Sequence, residues 1–271
     1  MKPPPFDYLA AESLDEALAT LAEAGGEARV LAGGQSLLPM LNMRLARPAL
    51  LVDIMRIPTL REVREEGGAL RIGAAVRQAA LLARPGLHPL LAAALPWVGH
   101  AQTRSRGTLC GSVAHADPSA EIPLVLLALG GHVQLRSARR ARTLAAADFF
   151  IGLMQTARAE DEMIEAIALP LPRPCEGHAF REIGRRHGDF AITACAAVAH
   201  ADGVRLAVGG VADRPVARDL PADAAAWDDA LEDFAWSLEA RDDLHATAAY
   251  RRHLVRRLGR EVMEEAMRCR G

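Results

Sequence analysis

The sequence has no apolar run long enough to cross a bilayer. Its most hydrophobic stretch, residues 122–129, falls far short of the roughly twenty residues that a spanning helix needs. The first ten residues, MKPPPFDYLA, lack the apolar core of a secretory signal, so a cytoplasmic location is expected. Charge of one sign is also missing. Lys and Arg together number 32 against 34 for Asp and Glu, a formal net charge of −2. This balance offers no general pull toward nucleic acid or an anionic membrane, and neither partner nor membrane insertion is expected. The four cysteines, Cys110, Cys175, Cys195 and Cys269, lie dozens of residues apart with no C-x-x-C pair. That spacing supports neither zinc nor an iron–sulfur cluster, so no metal site is expected and metal-based redox chemistry is left to a partner chain. In a chain of 271 residues without a secretion signal, free thiols are expected. Neither common phosphate fingerprint occurs: there is no G-x-x-x-x-G-K-[ST] and no G-x-G-x-x-G opening a helix after a strand. Internal repeats and low-complexity tracts are absent as well.

What is present alternates between helix and strand. Ser13-Leu-Asp-Glu16 has the form of a capping box, Leu14, Leu18 and Leu21 follow at helical spacing, and Gly25-Gly26 supplies a stop. Strands are expected at residues 29–32, 49–53, 69–76 and 132–135, with buried helices at 90–98 and 122–129. The Pro-rich segment Leu169-Pro-Leu-Pro-Arg-Pro174 breaks helix and ladder alike, which places a domain boundary near residue 174. Beyond it, residues 179–183, 190–199 and 204–211 read as three antiparallel strands, the last two joined by the turn Ala201-Asp-Gly203. From about residue 221 to residue 268 the pattern is helical. The expected class is α+β, with helices packed on sheets.

Two glycine-bearing segments carry the chemistry. In Val30-Leu-Ala-Gly-Gly-Gln-Ser-Leu-Leu-Pro39, glycines directly after a strand let backbone N–H groups approach an anion, and Ser36 adds a hydroxyl. A lone Gly-Gly is more often a tight turn than a diphosphate cradle. The second segment, residues 106–121, gathers Thr108, Ser112, Asp117 and Glu121 among small residues. Its hydroxyls and amides suit phosphate or ribityl oxygens, and its carboxylates suit sugar hydroxyls. Asp117-Pro118-Ser119 also reads as a helix start with Pro at the first position, and Glu121 as a first-turn acid.

Together, in this order and at this separation, Ala32-Gly-Gly-Gln-Ser36, Thr108-Leu-Cys-Gly-Ser112 and Ala116-Asp-Pro118 resemble the FAD-binding medium subunit of the xanthine dehydrogenase and aerobic carbon monoxide dehydrogenase family. Residues 180–191 resemble that family's entry into its C-terminal domain, and residues 242–252 its tail, so the resemblance covers essentially the whole chain. One position departs. The family's second segment usually reads Thr-x-Gly-Gly, and Cys110 occupies the place of the first glycine. Were a positive φ required there, a Cβ would cost on the order of a kcal/mol. We expect the segment to survive with a buried, inert thiol.

The resemblance implies an FAD-binding domain over residues 1–174, built of two α/β subdomains of the PCMH type with a boundary near residue 55. A C-terminal antiparallel sheet-and-helix domain over residues 175–271 would follow. It implies cofactor contacts from Ala32, Gly33, Gly34, Gln35, Ser36 and Leu37, and from Thr108, Leu109, Cys110, Gly111, Ser112, Asp117 and Glu121. Ile164, and more weakly Val98, match apolar positions beside the flavin; read alone, Ile164 is an ordinary core strand residue. Arg181 or Glu182 would reach the cofactor; read alone, they are exposed strand charges. Phe190 stands where the family carries an aromatic residue, in a chain with only six Phe, three Trp and two Tyr. It can stack on a flat ring but donates no hydrogen bond. His115 and His187 have no evident partners, and no catalytic residue is expected. The implied function is electron transfer through FAD, from the iron–sulfur clusters of a small subunit serving a molybdenum-cofactor large subunit to an external acceptor. Two other readings stay open on the residues alone: a stand-alone flavin oxidase or reductase, and a flavin-free scaffold subunit with an altered Cys110 segment.

Overall fold

The computed structural model describes residues 2–270. The chain opens with a three-stranded parallel sheet of β1 (Asp7–Ala10), β2 (Ala28–Leu31) and β3 (Leu50–Asp53), in the order β1-β3-β2. Helix α1 (Leu14–Ala24) crosses between the first two strands and buries Ala17, Leu18 and Leu21. Ser13 Oγ accepts from the Glu16 amide at 3.1 Å, while Glu16 Oε2 accepts from the Glu12 amide at 2.7 Å. The return bond thus lands one residue before the cap. The short helix α2 (Leu37–Asn42) leads into β3.

A five-stranded antiparallel sheet follows, in the order β4-β5-β10-β6-β7. Its edge is β4 (Val63–Glu66), then β5 (Ala69–Gly73), with β6 (His132–Arg136) and β7 (Ala141–Ala145) on the far side. The helices α3 (Gln78–Leu82), α4 (Pro89–Ala94), α5 (Ala101–Arg106), α6 (Leu109–His115), α7 (Glu121–Ala128) and α8 (Ala146–Phe149) fill the excursions between strands. A hairpin of β8 (Phe150–Gly152) and β9 (Gln155–Thr156) precedes the central strand β10 (Met163–Pro170). The helix expected over residues 90–98 is interrupted. Its α part ends at Ala94, and Pro96 sits in a single 3₁₀ turn, because proline cannot donate the next helical bond. The second glycine-bearing segment contains helix α6, capped by Thr108. The start expected at Asp117-Pro118-Ser119 is a turn: Asp117 Oδ1 accepts from the Ser119 amide at 2.8 Å, and helix α7 begins only at Glu121.

The C-terminal sheet is a four-stranded antiparallel meander of β11 (Gly177–Ile183), β12 (Thr193–Ala199), β13 (Gly203–Gly209) and β14 (Val216–Pro221). Three strands were expected; β14 is short, ends in proline and mixes charge with weak alternation, so its pattern is poor. Phe190 lies in the loop before β12 rather than in the strand. Helices α9 (Trp227–Ser237) and α10 (Ala248–Arg268) follow, separated by irregular chain. Both faces of this sheet are covered. Phe180, Ala194, Ala196, Val198 and Ala207 join the core of the first 170 residues, while Ala179, Cys195, Ala197, Leu206 and Val208 pack with α9 and α10. Every residue of β12 (TACAAVA) is buried, which is why it reads as a continuous small apolar run without alternation. Small residues also let α10 come close: a Cβ on Gly177 would stand 1.8 Å from the Ala266 carbonyl oxygen. None of the helices among the described residues is long and apolar enough to cross a membrane. All four cysteines are free, Cys110 and Cys195 buried, Cys175 and Cys269 exposed.

One buried carboxylate anchors the approach to β10. Glu162, with its side chain fully buried, accepts two bonds from Arg142 at 2.7 Å each and one from the Ala159 amide at 2.8 Å, with Arg140 at 3.1 Å. Arg142's hydrogen bonds hold its carboxyl below the usual carboxylate range. Deleting the carboxylate leaves Arg142, 30% exposed, to water and leaves the Ala159 amide without its acceptor. Glu162→Ala is expected to lower unfolding stability by about 1–3 kcal/mol in urea titrations. In the parent chain this contribution is fully present above the ordinary carboxylate pKa and is lost as pH falls through the depressed one.

Candidate functional site

The site is a cavity of about 680 Å³, within the range usual for small-molecule pockets. Its walls come from the end of β2, the start of α2, the α5–α6 junction, the turn before α7, the start of β10 and the loop before β12. Two backbones meet at its floor. A Cβ on Gly33 would lie 2.2 Å from the Arg106 carbonyl oxygen and 2.6 Å from Gly107 Cα, so only glycine permits the contact. Gly34 adopts φ +70°, a left-handed conformation that turns the chain from β2 into α2. Across the cavity, Thr108 caps α6, its Oγ1 accepting from the Gly111 amide at 2.9 Å. A Cβ on Gly111 would approach that hydroxyl to 2.8 Å. The Gln78 amide donates to the Gly107 carbonyl at 2.8 Å and ties the junction to α3.

Of the residues singled out in the sequence, the cavity is lined by all of residues 32–37, Val98, Thr108, Cys110, Gly111, Ser112, Asp117, Glu121, Ile164 and Phe190. Three others stand elsewhere. Leu109 is completely buried in the core. Arg181 turns away, pairing with Glu265 of α10 at 2.9 Å. Glu182 is not an exposed strand charge; it is 9% exposed and lies behind the cavity wall. Cys110 poses no strain, because it sits within helix α6 and has no positive φ. Its thiol approaches the Ile72 carbonyl oxygen at 3.6 Å, and burial pushes its pKa up to about 12, so it stays a neutral thiol. The left-handed residue here is Ala116 (φ 53°) at the end of α6, a conformation costing about 1 kcal/mol outside glycine. It redirects the chain so that Asp117 lines the cavity.

Several lining residues carried little signal in sequence. Arg29 and Arg158 lie near one another at one end of the cavity, beside Leu21 and Glu160. Arg158 donates to the backbone carbonyls of Ala159 and Glu162, each at 2.7 Å, and burial lowers its pKa. No pattern in the sequence marks it. Asp117, Glu121, Asp189, Val98 and Phe190 also line the cavity. Burial, reinforced by Asp117, pushes Glu121 up to about 7. His115 also lines the cavity, with burial lowering its pKa. His187 packs edge-on against Trp97, and Arg185 and Arg186 both pair with Asp189. Met154, at the hairpin turn with φ 52°, and the 63% exposed Phe190 border the opening.

The Phe190 loop is held from the far side of the C-terminal sheet. Arg251 of α10 is buried and donates to the Ile192 carbonyl at 2.5 Å, to the Gly210 carbonyl and to Asp243. The Gly210 amide in turn donates to the Pro118 carbonyl at 2.7 Å. A second cavity, of about 450 Å³ near His88, Glu176, His200 and Arg205, touches neither glycine segment.

Comparison with known proteins agrees with this geometry. The family described as "FAD binding domain in molybdopterin dehydrogenase" matches residues 4–172, and the "CO dehydrogenase flavoprotein C-terminal domain" matches residues 178–266. The nicotine 6-hydroxylase medium subunit of Paenarthrobacter nicotinovorans is 38% identical, over 98% of this chain and 99% of its own. Subunit alpha of the 6-hydroxypseudooxynicotine dehydrogenase complex from the same organism is 42% identical, over 74% of this chain and 69% of its own. A solved chain of carbon monoxide dehydrogenase from Hydrogenophaga pseudoflava superimposes with a TM-score of 0.96 at 33% identity, covering all of both chains.

The floor of the cavity tolerates no side chain. Gly33→Ala is expected to force the two backbones apart and to lower the melting temperature, at a cost of about 1–3 kcal/mol. Gly67→Ala, at a turn with open space around it but a positive φ, serves as the strain-only control.

Proposed function

Since this chain belongs to the FAD-binding medium subunits of the molybdenum hydroxylases, we propose that it relays electrons within such a complex. It is an FAD-binding oxidoreductase subunit of a multi-subunit enzyme. In the proposed relay, electrons arrive from the iron–sulfur clusters of a small partner subunit, which serves a large subunit with the molybdenum cofactor. They leave to an external acceptor. Bound FAD supplies the redox chemistry through its isoalloxazine ring.

The observation that carries this reading is the close packing at Gly33 and Gly111, both lining the cavity, where a Cβ would meet the Arg106 carbonyl oxygen at 2.2 Å and the Thr108 hydroxyl at 2.8 Å. In this proposal residues 32–36 and 108–112 hold the diphosphate between them, through amides and the hydroxyls of Ser36, Thr108 and Ser112. Asp117 and Glu121 accept from the cofactor's hydroxyls, and Arg29 and Arg158 offset its negative charge. Val98 and Ile164 exclude water from the flat ring, and Phe190 stacks near it. No nucleophile or general base is assigned. The named relatives act on nicotine, on 6-hydroxypseudooxynicotine and on carbon monoxide. One medium-subunit fold serving such different substrates supports substrate recognition in the large subunit. The same reading divides the chain near residue 174, with a subdomain boundary near residue 55. The family matches ending at residue 172 and beginning at residue 178 support the first. The passage from parallel sheet at Asp53 to antiparallel sheet at Val63 supports the second.

Purified chain is expected to take up one FAD, releasable on heating. Reassembled with its iron–sulfur partner, it should show flavin reduction that depends on that partner in rapid-mixing absorbance measurements. Substrate oxidation by the chain alone would overturn the relay. Loss of ring stacking is worth about 0.5–1.5 kcal/mol. Phe190→Ala is therefore expected to retain FAD with roughly three- to tenfold weaker affinity and brighter flavin fluorescence. Unchanged affinity and emission would remove Phe190 from the ring's surroundings.

A further inference from the structure

Glu121 at the cavity wall has a second carboxyl group near it that does not line the cavity, Glu182. Glu182 lies on β11 beside His178 and Phe180 on the strand face turned toward the FAD-binding domain; Arg181 points the other way, to α10. In the sheet register Glu182 stands opposite Ala194, and Ala194 opposite Gly209. Directly opposed residues share a face. On that face a Cβ at Gly209 would meet the Pro118 carbonyl oxygen at 3.1 Å and Leu124 of α7 at 3.6 Å. The row that carries Glu182 therefore packs against the turn and helix that carry Glu121.

Neither carboxyl has an ion-pair partner among the described residues. Glu182 Oε2 is buried with no hydrogen-bond partner, and Glu121 is 5% exposed at the cavity wall. The surrounding charges do not favour two carboxylates. Asp117 adds negative charge, which Arg104 of α5, held through Nη1 by the carbonyls of Pro96, Val98 and Gly99, offsets in part at Glu121 alone. His178, on the same strand face, has its pKa lowered by burial and abuts His88, itself pushed down to about 4. Two carboxyls in such surroundings titrate as a pair and keep one proton near neutrality. The Glu121 amide at the start of α7 and the Arg104 charge both favour the ionised form of Glu121, whereas nothing favours that of Glu182, so the proton belongs on Glu182.

We propose that Glu182 is a positioning residue that sets the charge at the flavin site: as the neutral acid, it leaves Glu121 to carry the pair's single negative charge at the cavity wall. This rests on the assignment of the cavity to FAD. Burial, with Glu121 adding to it, pushes Glu182 up to about 8. Above that pH both groups ionise, and the second negative charge opposes a dianionic cofactor. Glu182 thus favours binding only while it is protonated, and affinity falls as pH rises through its pKa.

The test titrates the full chain with FAD by fluorescence across this range. If binding requires one proton on Glu182, the dissociation constant should rise about tenfold between about pH 7 and about pH 9. Glu182→Gln, which keeps the shape and neutrality of the acid, should bind FAD comparably near pH 7 and stay flat within about twofold. A flat parent curve, or the same slope in the variant, overturns the proposal. Independently of FAD, the infrared spectrum near neutral pH should contain a protonated-carboxyl stretch that Glu182→Gln removes. An absent or unchanged band also overturns it. A chain that takes up no FAD at any pH would overturn the flavin assignment instead, and the infrared band would then decide on the shared proton alone.

Discussion

The architecture depends on one close approach, where the backbone after β2 touches the backbone after α5 at Gly33 and Arg106–Gly107. These strands of chain come from different sheets, and nothing between them is large enough to hold them apart. The parallel sheet supplies one wall and the antiparallel sheet, through α5 and α6, supplies the other. Adding a methyl group at this point would do more harm than removing one from an ordinary core position, because backbone cannot rotate out of the way.

From that contact outward, the site is assembled by elements with structural duties of their own. Thr108 caps a helix while its segment lines the cavity, and Asp117 closes a turn while facing the same space. Ala116 accepts a left-handed conformation so that the turn can form. Met154, a second non-glycine residue with positive φ, lines the cavity as well, whereas Arg44 and Cys175 adopt that conformation away from it. Cys110 is the converse case: a buried side chain that the helix accommodates without strain.

The parts of this arrangement legible in the sequence are those set by local rules. Ser13 and Glu16 announce α1, Pro174 and its neighbours interrupt regular structure, and the glycines after β2 announce a tight approach. Helix α6 leaves little trace in the sequence because glycine and serine argue against helix, while burial of Leu109 and Val113 outweighs that preference. Strand β14 was missed because its charges pair across the sheet, Arg205 with Asp219, instead of alternating cleanly with apolar residues. The place of Arg158 in the cavity wall and the burial of Glu182 could not be read. Their environments are made by segments distant in sequence, and a charged residue in a sequence is by default a solvated one.

Arg251 connects the last helix to the site's opposite wall. Helix α10 follows every other element that shapes the cavity, yet its guanidinium holds the carbonyls that fix the Phe190 loop and the turn beside Asp117. During synthesis both glycine segments leave the ribosome long before this pin does. The pocket therefore reaches its final shape only when the helix docks, and a nascent chain stalled before α10 would display the cradle without its closing wall.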